Sequence, residues 1–353
     1  MVSFVGFDPG NNGLKVAYFK APNRIGYMFV PNISAPAIPL DIPPAGDDED
    51  VLAVEVMSAD KEFQALTFLG NLALQQAQDK ADQDRRRDRS GSVTVNQLVP
   101  AVLGLLYEEG RPFVMTVGAT LQDIQEQKDK LIRKIEKKHK IKFLYGSLAG
   151  RTVEPVVIQC NTYPQAAAGL YSLLRNDDGS IRRYDWVDKT VLAIDIGHGQ
   201  INFAIMDKMV FLKGACFSRD FGNYRVVNVV KDFLNSAPYY VTASIPQLQR
   251  ATEAGYYTIG QEKIGLRDVI ITATQETVEL AYREVKDELP ASLYNQITDI
   301  VVLGGVADRV APMIQSRFSL PVEKAKTSLF ENARGNALHA RQKWEAETKK
   351  QVI

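Results

Sequence analysis

The sequence predicts an α/β protein built from two related domains. Three observations carry that prediction. A strand–Asp–x–Gly–turn–strand unit occurs at Val2–Phe19 and again, half a chain later, at Val191–Met206, and an apolar strand runs into a Gly-Gly pair at Asp299–Val306. A chain of 353 residues is long enough for about two domains with sizeable cores.

In the first unit, Phe4–Phe7 is an apolar strand ended by Asp8, Gly10-Asn11-Asn12-Gly13 makes the turn, and Leu14–Phe19 returns bearing Lys15. In the second, the β-branched run Val191–Ile194 is ended by Asp195. Gly197, His198 and Gly199 then turn the chain, and from Gln200 to Met206 it alternates as a strand. Glycines let the backbone turn sharply and approach a ligand closely. A carboxylate beside such a turn suits a Mg²⁺-bound phosphate, because amides meet the oxygens and the acid meets the metal or its water. Taken singly, such a turn reads first as an ordinary hairpin, because aspartate and glycine crowd ordinary turns. Two copies point to two similar domains facing one phosphate chain. In the third element, Gly304, Gly305 and Val306 would let a flat ligand face lie against the backbone.

In this order, the three elements resemble the actin-like ATPase superfamily, which also holds heat-shock chaperones and sugar kinases. Within it the chain is most similar to the plasmid-segregation actins of the ParM family. Its short length, the connector Pro164–Gly169 (PQAAAG) and the closing Phe330–Ala340 (FENARGNALHA) carry that likeness. The resemblance implies an actin-like two-lobed fold with a nucleotide cleft between two related α/β domains, each with a small inserted subdomain. Lobe I would span 1–163, with a small subdomain at about 25–95 and helix 331–353 packed back on it. Lobe II would span 164–330, with its small subdomain at about 223–266.

The same resemblance implies ATP and Mg²⁺ as ligands. Asp8 and Asp195 would hold the metal through water, Lys15 would meet the β- or γ-phosphate, and the amides of 10–13 and 197–200 would surround the phosphates. Gly222 and Asn223 would contact ribose or phosphate, a simple helix cap being the other reading. Gln165 would orient the attacking water; in actin a glutamine near this point does so, whereas ParM uses a glutamate. An amide is a poor general base, so hydrolysis would be slow. Filaments would assemble with ATP and destabilise on hydrolysis, and a centromere-binding, ParR-like adaptor would link them to plasmid DNA, with no direct nucleic-acid or membrane contact. The alternative is a small-molecule (sugar or acid) kinase of the same superfamily. That chemistry needs an aspartate base, and none is evident near Gln165.

Composition narrows the classes further. Forty-two basic and forty-two acidic residues cancel, which argues against a broad nucleic-acid surface. Cys160 and Cys216 lack metal or redox spacing and read as buried thiols in a reducing compartment. His139, His198 and His339 share no metal-ligand spacing, and His198 reads as a loop residue near phosphate. No signal peptide opens the chain and no apolar run approaches about 20 residues, so a cytoplasmic location is expected.

The intervening elements follow from local pattern. Proline-rich Ala21–Asp50 predicts edge strands and loops, ending in a solvated acidic run at Asp47–Asp50. Polar Gln75–Arg89, with Arg85–Arg87, predicts a disordered or fraying helical loop. Thr120-x-x-Asp123 predicts a cap opening a helix over Leu121–His139, with a solvated basic cluster at Arg133–Lys142. Cys160–Tyr171 reads as the connecting helix, with Pro164 in its first turn. Arg267–Leu289 and Glu331–Lys350 predict long helices.

Overall fold

The computed structural model describes residues 1–57, 62–77, 82–83 and 92–351. The chain divides into two compact units, Met1–Tyr184 with Leu329–Ile353, and Asp185–Ser328.

The first unit is built on a sheet with spatial order Val157–Pro164, Phe113–Ala119, Ser3–Pro9, Gly13–Ala21, Arg24–Pro31. The last three strands form an antiparallel meander, and the first two run parallel to Ser3–Pro9. Phe113–Ala119 is buried along its whole length, as its apolar sequence, interrupted only by Thr116, suits a strand covered on both faces. Val5, Phe7, Leu14 and Val16 point into the large core on one face. On the other face Ala17 and Ile25 meet Ala333, Ala337 and Leu338 of the helix Glu331–Gln351. This helix lies unusually close to its supports. A Cβ on Gly6 would stand 2.1 Å from the Ala333 carbonyl oxygen, and one on Gly335 would stand 1.8 Å from that of Ala168.

A second sheet in this unit has the order Thr152–Val153, Ile141–Phe143, Ala53–Val56, Thr67–Leu69, Ile33–Pro36, Asp82–Gln83. It draws Ile141–Phe143 and Thr152–Val153 from beyond the stretch of about 25–95 expected for the small subdomain. Arg24–Pro31 pairs into the main sheet, and Ile141–Phe143 pairs with Ala53–Val56.

The second unit repeats the pattern. Its sheet runs Val210–Phe211, Ile201–Asp207, Thr190–Ile196, Asp299–Leu303, Val322–Lys324. Thr190–Ile196 is antiparallel to Ile201–Asp207 and parallel to Asp299–Leu303. Helices Arg267–Glu288 and Ala307–Phe318 cover it with a core that includes Val278, Val285, Val310 and Ile314. A separate core joins helices Tyr224–Asn235 and Ile245–Ala254 to the hairpin Tyr256–Ile259/Glu262–Gly265.

Several expectations are corrected. The units part at Tyr184/Asp185 and not at 163/164, because helix Ala167–Leu174 packs on Glu331–Gln351 and stays with the first unit. Cys160–Pro164 is strand and not helix, because it pairs with Met115–Ala119. Helix Leu121–Ile135 is capped by Thr120, whose side chain accepts from the Asp123 N–H, but it stops short of His139. Asp48 accepts from Ser147, and Asp50 accepts from Asn71, so the acidic run is anchored. Lys138 and Lys140 pair with Glu154, and Lys142 pairs with Glu55, so the basic cluster is tied to its own unit. Arg85–Arg87 and most of the polar loop lie outside the described residues; Asp82–Gln83 pairs with Ile33–Ser34. Cys160 and Cys216 are buried free thiols; burial raises both, that of Cys216 to about 12. Among the described residues no helix is long and apolar enough to cross a membrane.

His339 is held inside the first unit, with Nδ1 3.0 Å from Thr116 Oγ1 and its ring stacked on Tyr163. Burial pushes its pKa down to about 4, with Lys343 adding to the effect. The unfolded chain therefore takes up this proton first. Stability from the neutral imidazole is present above pH 6.5 and is lost as the pH falls toward about 4. Urea unfolding of His339→Gln should lose less stability than wild type across that window. His139, lowered to about 4 by its own burial, titrates alike in both proteins. Equal losses would exclude His339 as a source.

Candidate functional site

Each unit carries one strand–aspartate–glycine turn–strand hairpin, and the two are built alike. In the first, Asp8 closes strand Ser3–Pro9 with a relative exposure of 2%. Its cross-strand partner is Lys15, whose ammonium stands 3.3 Å from Asp8 Oδ2. Gln165 Nε2 donates to Asp8 Oδ1 at 2.5 Å, so one carboxylate holds both a cation and an amide. The turn is closed by the Gly10 N–H donating to the Gly13 carbonyl at 3.0 Å, and Asn12 accepts from the Asn32 N–H. A Cβ on Gly10 would stand 2.5 Å from the Lys15 ammonium, so glycine there lets the lysine fold over its own turn. Asn11 and Asn12 form the half-buried tip.

In the second unit Asp195, on strand Thr190–Ile196, is likewise buried, and its cross-strand partner is Asn202. Asn202 Nδ2 donates to Asp195 Oδ2 at 3.3 Å, and Ser218 Oγ donates to Asn202 Oδ1 at 2.7 Å. The Gly197 N–H donates to the Gln200 carbonyl at 2.9 Å, matching the Gly10–Gly13 bond. The N–H groups of Gly10 and Gly197 are therefore spent inside their turns. This corrects the expectation that every amide of 10–13 and 197–200 faces phosphate.

Gly222 has a structural reason. A Cβ there would stand 2.6 Å from the Gly197 carbonyl oxygen and 2.8 Å from that of His198. Without one, helix Tyr224–Asn235 docks under the loop, and the N–H groups of Asn223 and Tyr224 donate to those two carbonyls. The Asn223 side chain accepts from Arg309, and burial lowers the Arg309 pKa while Glu253 opposes it. His198 Nε2 lies 3.4 Å from Gln249 Nε2, and Gln200 donates to Asp220. Gly304, at φ +93°, brings the third element onto the second loop. A Cβ there would stand 2.3 Å from the Ile196 carbonyl oxygen and 3.1 Å from Asp195 Oδ1. Gly305 and Val306 follow it at the entry to helix Ala307–Phe318.

Gln165 does not begin a helix as expected. Its carbonyl accepts from the Ala167 N–H at 2.8 Å across Ala166, which sits at φ +62°, ψ −44°. That is a three-residue γ-turn of the strained, positive-φ kind. Sequence reasoning also missed Asn202, Ser218 and Arg309. Asn202 had a signal: it follows Asp195 at the spacing by which Lys15 follows Asp8.

Buried carboxylates beside glycine turns are oxygen donors of the type Mg²⁺ takes through its water shell. Asp8 and Asp195 fit that role. The ammonium of Lys15 adds the positive charge that a polyphosphate requires.

No protein-family model and no curated protein matches the chain. Solved structures do. A subunit of a 15-stranded ParM filament from Clostridium botulinum matches with a TM-score of 0.79 at 18% identity, over 97% of this chain and 99% of the other. An archaeal actin homologue matches with a TM-score of 0.77 at 14% identity, over 97% and 100%. Bacillus thuringiensis ParM with ATP matches with a TM-score of 0.66 at 15% identity, over 97% and 99%. The chain therefore has the actin-like α/β fold shared by ParM proteins and archaeal actin homologues.

Proposed function

We propose that the protein is an actin-like ATPase that assembles into filaments with ATP and loses them on hydrolysis. The observation that carries this reading is the pair of matching Asp-turn hairpins, on a fold shared along nearly the whole chain with ParM. ParM structures of that fold hold ATP, ADP or AMPPNP, and one is a filament.

The chemistry follows from the side chains. Lys15 meets the β- or γ-phosphate as a point charge. Asp8 and Asp195 would hold Mg²⁺ through its water shell, and the ion would supply positive charge to neutralise the phosphates. Donation from Gln165 Nε2 to Asp8 orients the amide, whose Oε1 is then the acceptor that aligns a water proton. The water oxygen attacks the γ-phosphorus in line, the bond to the β–γ bridging oxygen breaks, and ADP and phosphate leave. Because an amide positions water without taking its proton, turnover is slow enough to time a filament. Through a ParR-like adaptor, such filaments would move plasmid DNA.

Light scattering with Mg²⁺ and ATP tests this directly. The wild-type signal should rise and then decay as ATP is consumed. Gln165→Ala should bind ATP as wild type does and hydrolyse it about 10- to 100-fold more slowly, a barrier rise of about 1.4–2.7 kcal/mol. Its scattering should rise and stay up. No scattering by folded protein with ATP would overturn the filament reading, and phosphate transfer to an added sugar would favour the kinase alternative.

A further inference from the structure

The closing FENARGNALHA stretch does more than seal a sheet. Helix Glu331–Gln351 begins with an unusual run of buried polar residues: Glu331, Asn332, Arg334 and Asn336 are all less than 7% exposed. Glu331 and Arg334 hold helix Ala167–Leu174. Ser172 donates to Glu331, and Arg334 donates to the Ser172 carbonyl, the Arg175 carbonyl and Asp177.

The two asparagines reach elsewhere. Asn332 Oδ1 accepts from the Ala166 N–H at 3.2 Å. Asn336 Nδ2 donates to the Phe7 carbonyl at 2.9 Å. Residues four apart on a helix share one face, so a single turn of this helix contacts the backbone just after Gln165 and just before Asp8. Those are the two residues joined by the 2.5 Å side-chain bond at the site. The glycines around this turn leave no slack. A Cβ on Gly118 would stand 2.8 Å from Asn336 Nδ2 and 3.6 Å from Asp8 Oδ1, and Gly6 and Gly335 bring backbones together on either side.

Ala166 needs such support. A non-glycine residue at φ +62° persists only where its surroundings over-determine it. The Asn332 acceptor engages the N–H of that residue, and the γ-turn it stabilises aims the Gln165 side chain.

We propose that Asn332 and Asn336 are positioning residues for ATP hydrolysis. Asn332 holds the γ-turn that presents Gln165, and Asn336 holds the strand end that presents Asp8. The inference rests on the ATPase reading and on Gln165 as the residue that orients water. Asn332 acts only through Gln165, so its loss adds nothing once Gln165 is gone.

Single-turnover ATP hydrolysis is measured for wild type, Asn332→Ala, Asn332→Asp, Gln165→Ala and the double variant Gln165→Ala/Asn332→Ala, with ATP affinity and thermal melting determined for each. Asn332→Ala should hydrolyse about 5- to 20-fold more slowly at unchanged ATP affinity. Asn332→Asp keeps the acceptor and should restore most of the rate. The double variant should be no slower than Gln165→Ala alone. If Asn332→Ala fails to fold, Asn332→Leu, which fills the space without an acceptor, takes its place in the cycle. A slow Gln165→Ala beside a wild-type rate for Asn332→Ala overturns this inference and leaves the ATPase reading standing. A double variant slower than Gln165→Ala by the full Asn332 factor also overturns it, because Asn332 would then act independently. A wild-type rate for Gln165→Ala, or no hydrolysis by wild type, overturns the underlying reading and this inference with it.

Discussion

Asp8→Ala should lower ATP hydrolysis by about 100- to 1,000-fold, a barrier rise of about 2.7–4 kcal/mol. The effect should exceed that of Gln165→Ala because Asp8 serves three groups at once. It anchors the Lys15 ammonium at 3.3 Å, it accepts from Gln165 at 2.5 Å, and in the proposed reaction it holds the metal's water shell. With the carboxylate gone, Lys15 loses its counter-charge and Gln165 loses the acceptor that orients it. Removing one partner of a buried, hydrogen-bonded charge pair also leaves the other uncompensated. ATP affinity should fall less than the rate, since Lys15 and the second loop remain. Asp8→Asn keeps the shape and an acceptor oxygen, so it should fold like wild type and still hydrolyse slowly. Phosphate release near the wild-type rate in Asp8→Asn would remove Asp8 from the site.

Gly335→Ala should destabilise the first unit by about 3 kcal/mol, read as a lower urea midpoint. The sign is the informative part. In an exposed helix interior, alanine is favoured over glycine by about 1 kcal/mol. Here the added Cβ would stand 1.8 Å from the Ala168 carbonyl oxygen and 2.5 Å from its carbonyl carbon, both backbone atoms that no rotamer change can move aside. The helix must lift from Ala167–Leu174, and with it Asn332 and Arg334 lose their partners. A midpoint equal to or above wild type would show that the two helices are not in this contact.

The two aspartate-turn hairpins were legible because they are local. Each needs only a short apolar run, an aspartate at its end and glycines spaced to turn the chain, and all of these lie within a few residues. The Thr120 cap was legible for the same reason, since a cap bonds to an amide three residues away. The connector was not. Cys160–Pro164 carries no pattern that separates strand from helix over so short a span. Its partner strand, Phe113–Ala119, lies more than forty residues earlier in the chain and is what makes it a strand. The placement of the dividing point between the units fails for the same reason.

The closing helix marks the limit most clearly. Its helical period could be read from the chain and the family resemblance placed it against the first lobe, but its own residues do not announce which face is buried. Apart from Leu338, the buried face is made of alanine, glycine and asparagine with Glu331 and Arg334, which have little apolar area to advertise. What buries it is backbone-to-backbone approach at Gly6 and Gly335, the Asn336 side chain lying over Gly118, and hydrogen bonds to residues at the opposite end of the sequence. The sequence by itself determined the two hairpins, their aspartates and the repeated α/β plan, because local periodicity and turn chemistry set them. Only the tertiary structure decided that Gln165 rides a strained γ-turn onto Asp8 and that the last helix holds both in place. Those contacts join residues some 160 to 330 positions apart, and no local preference encodes them.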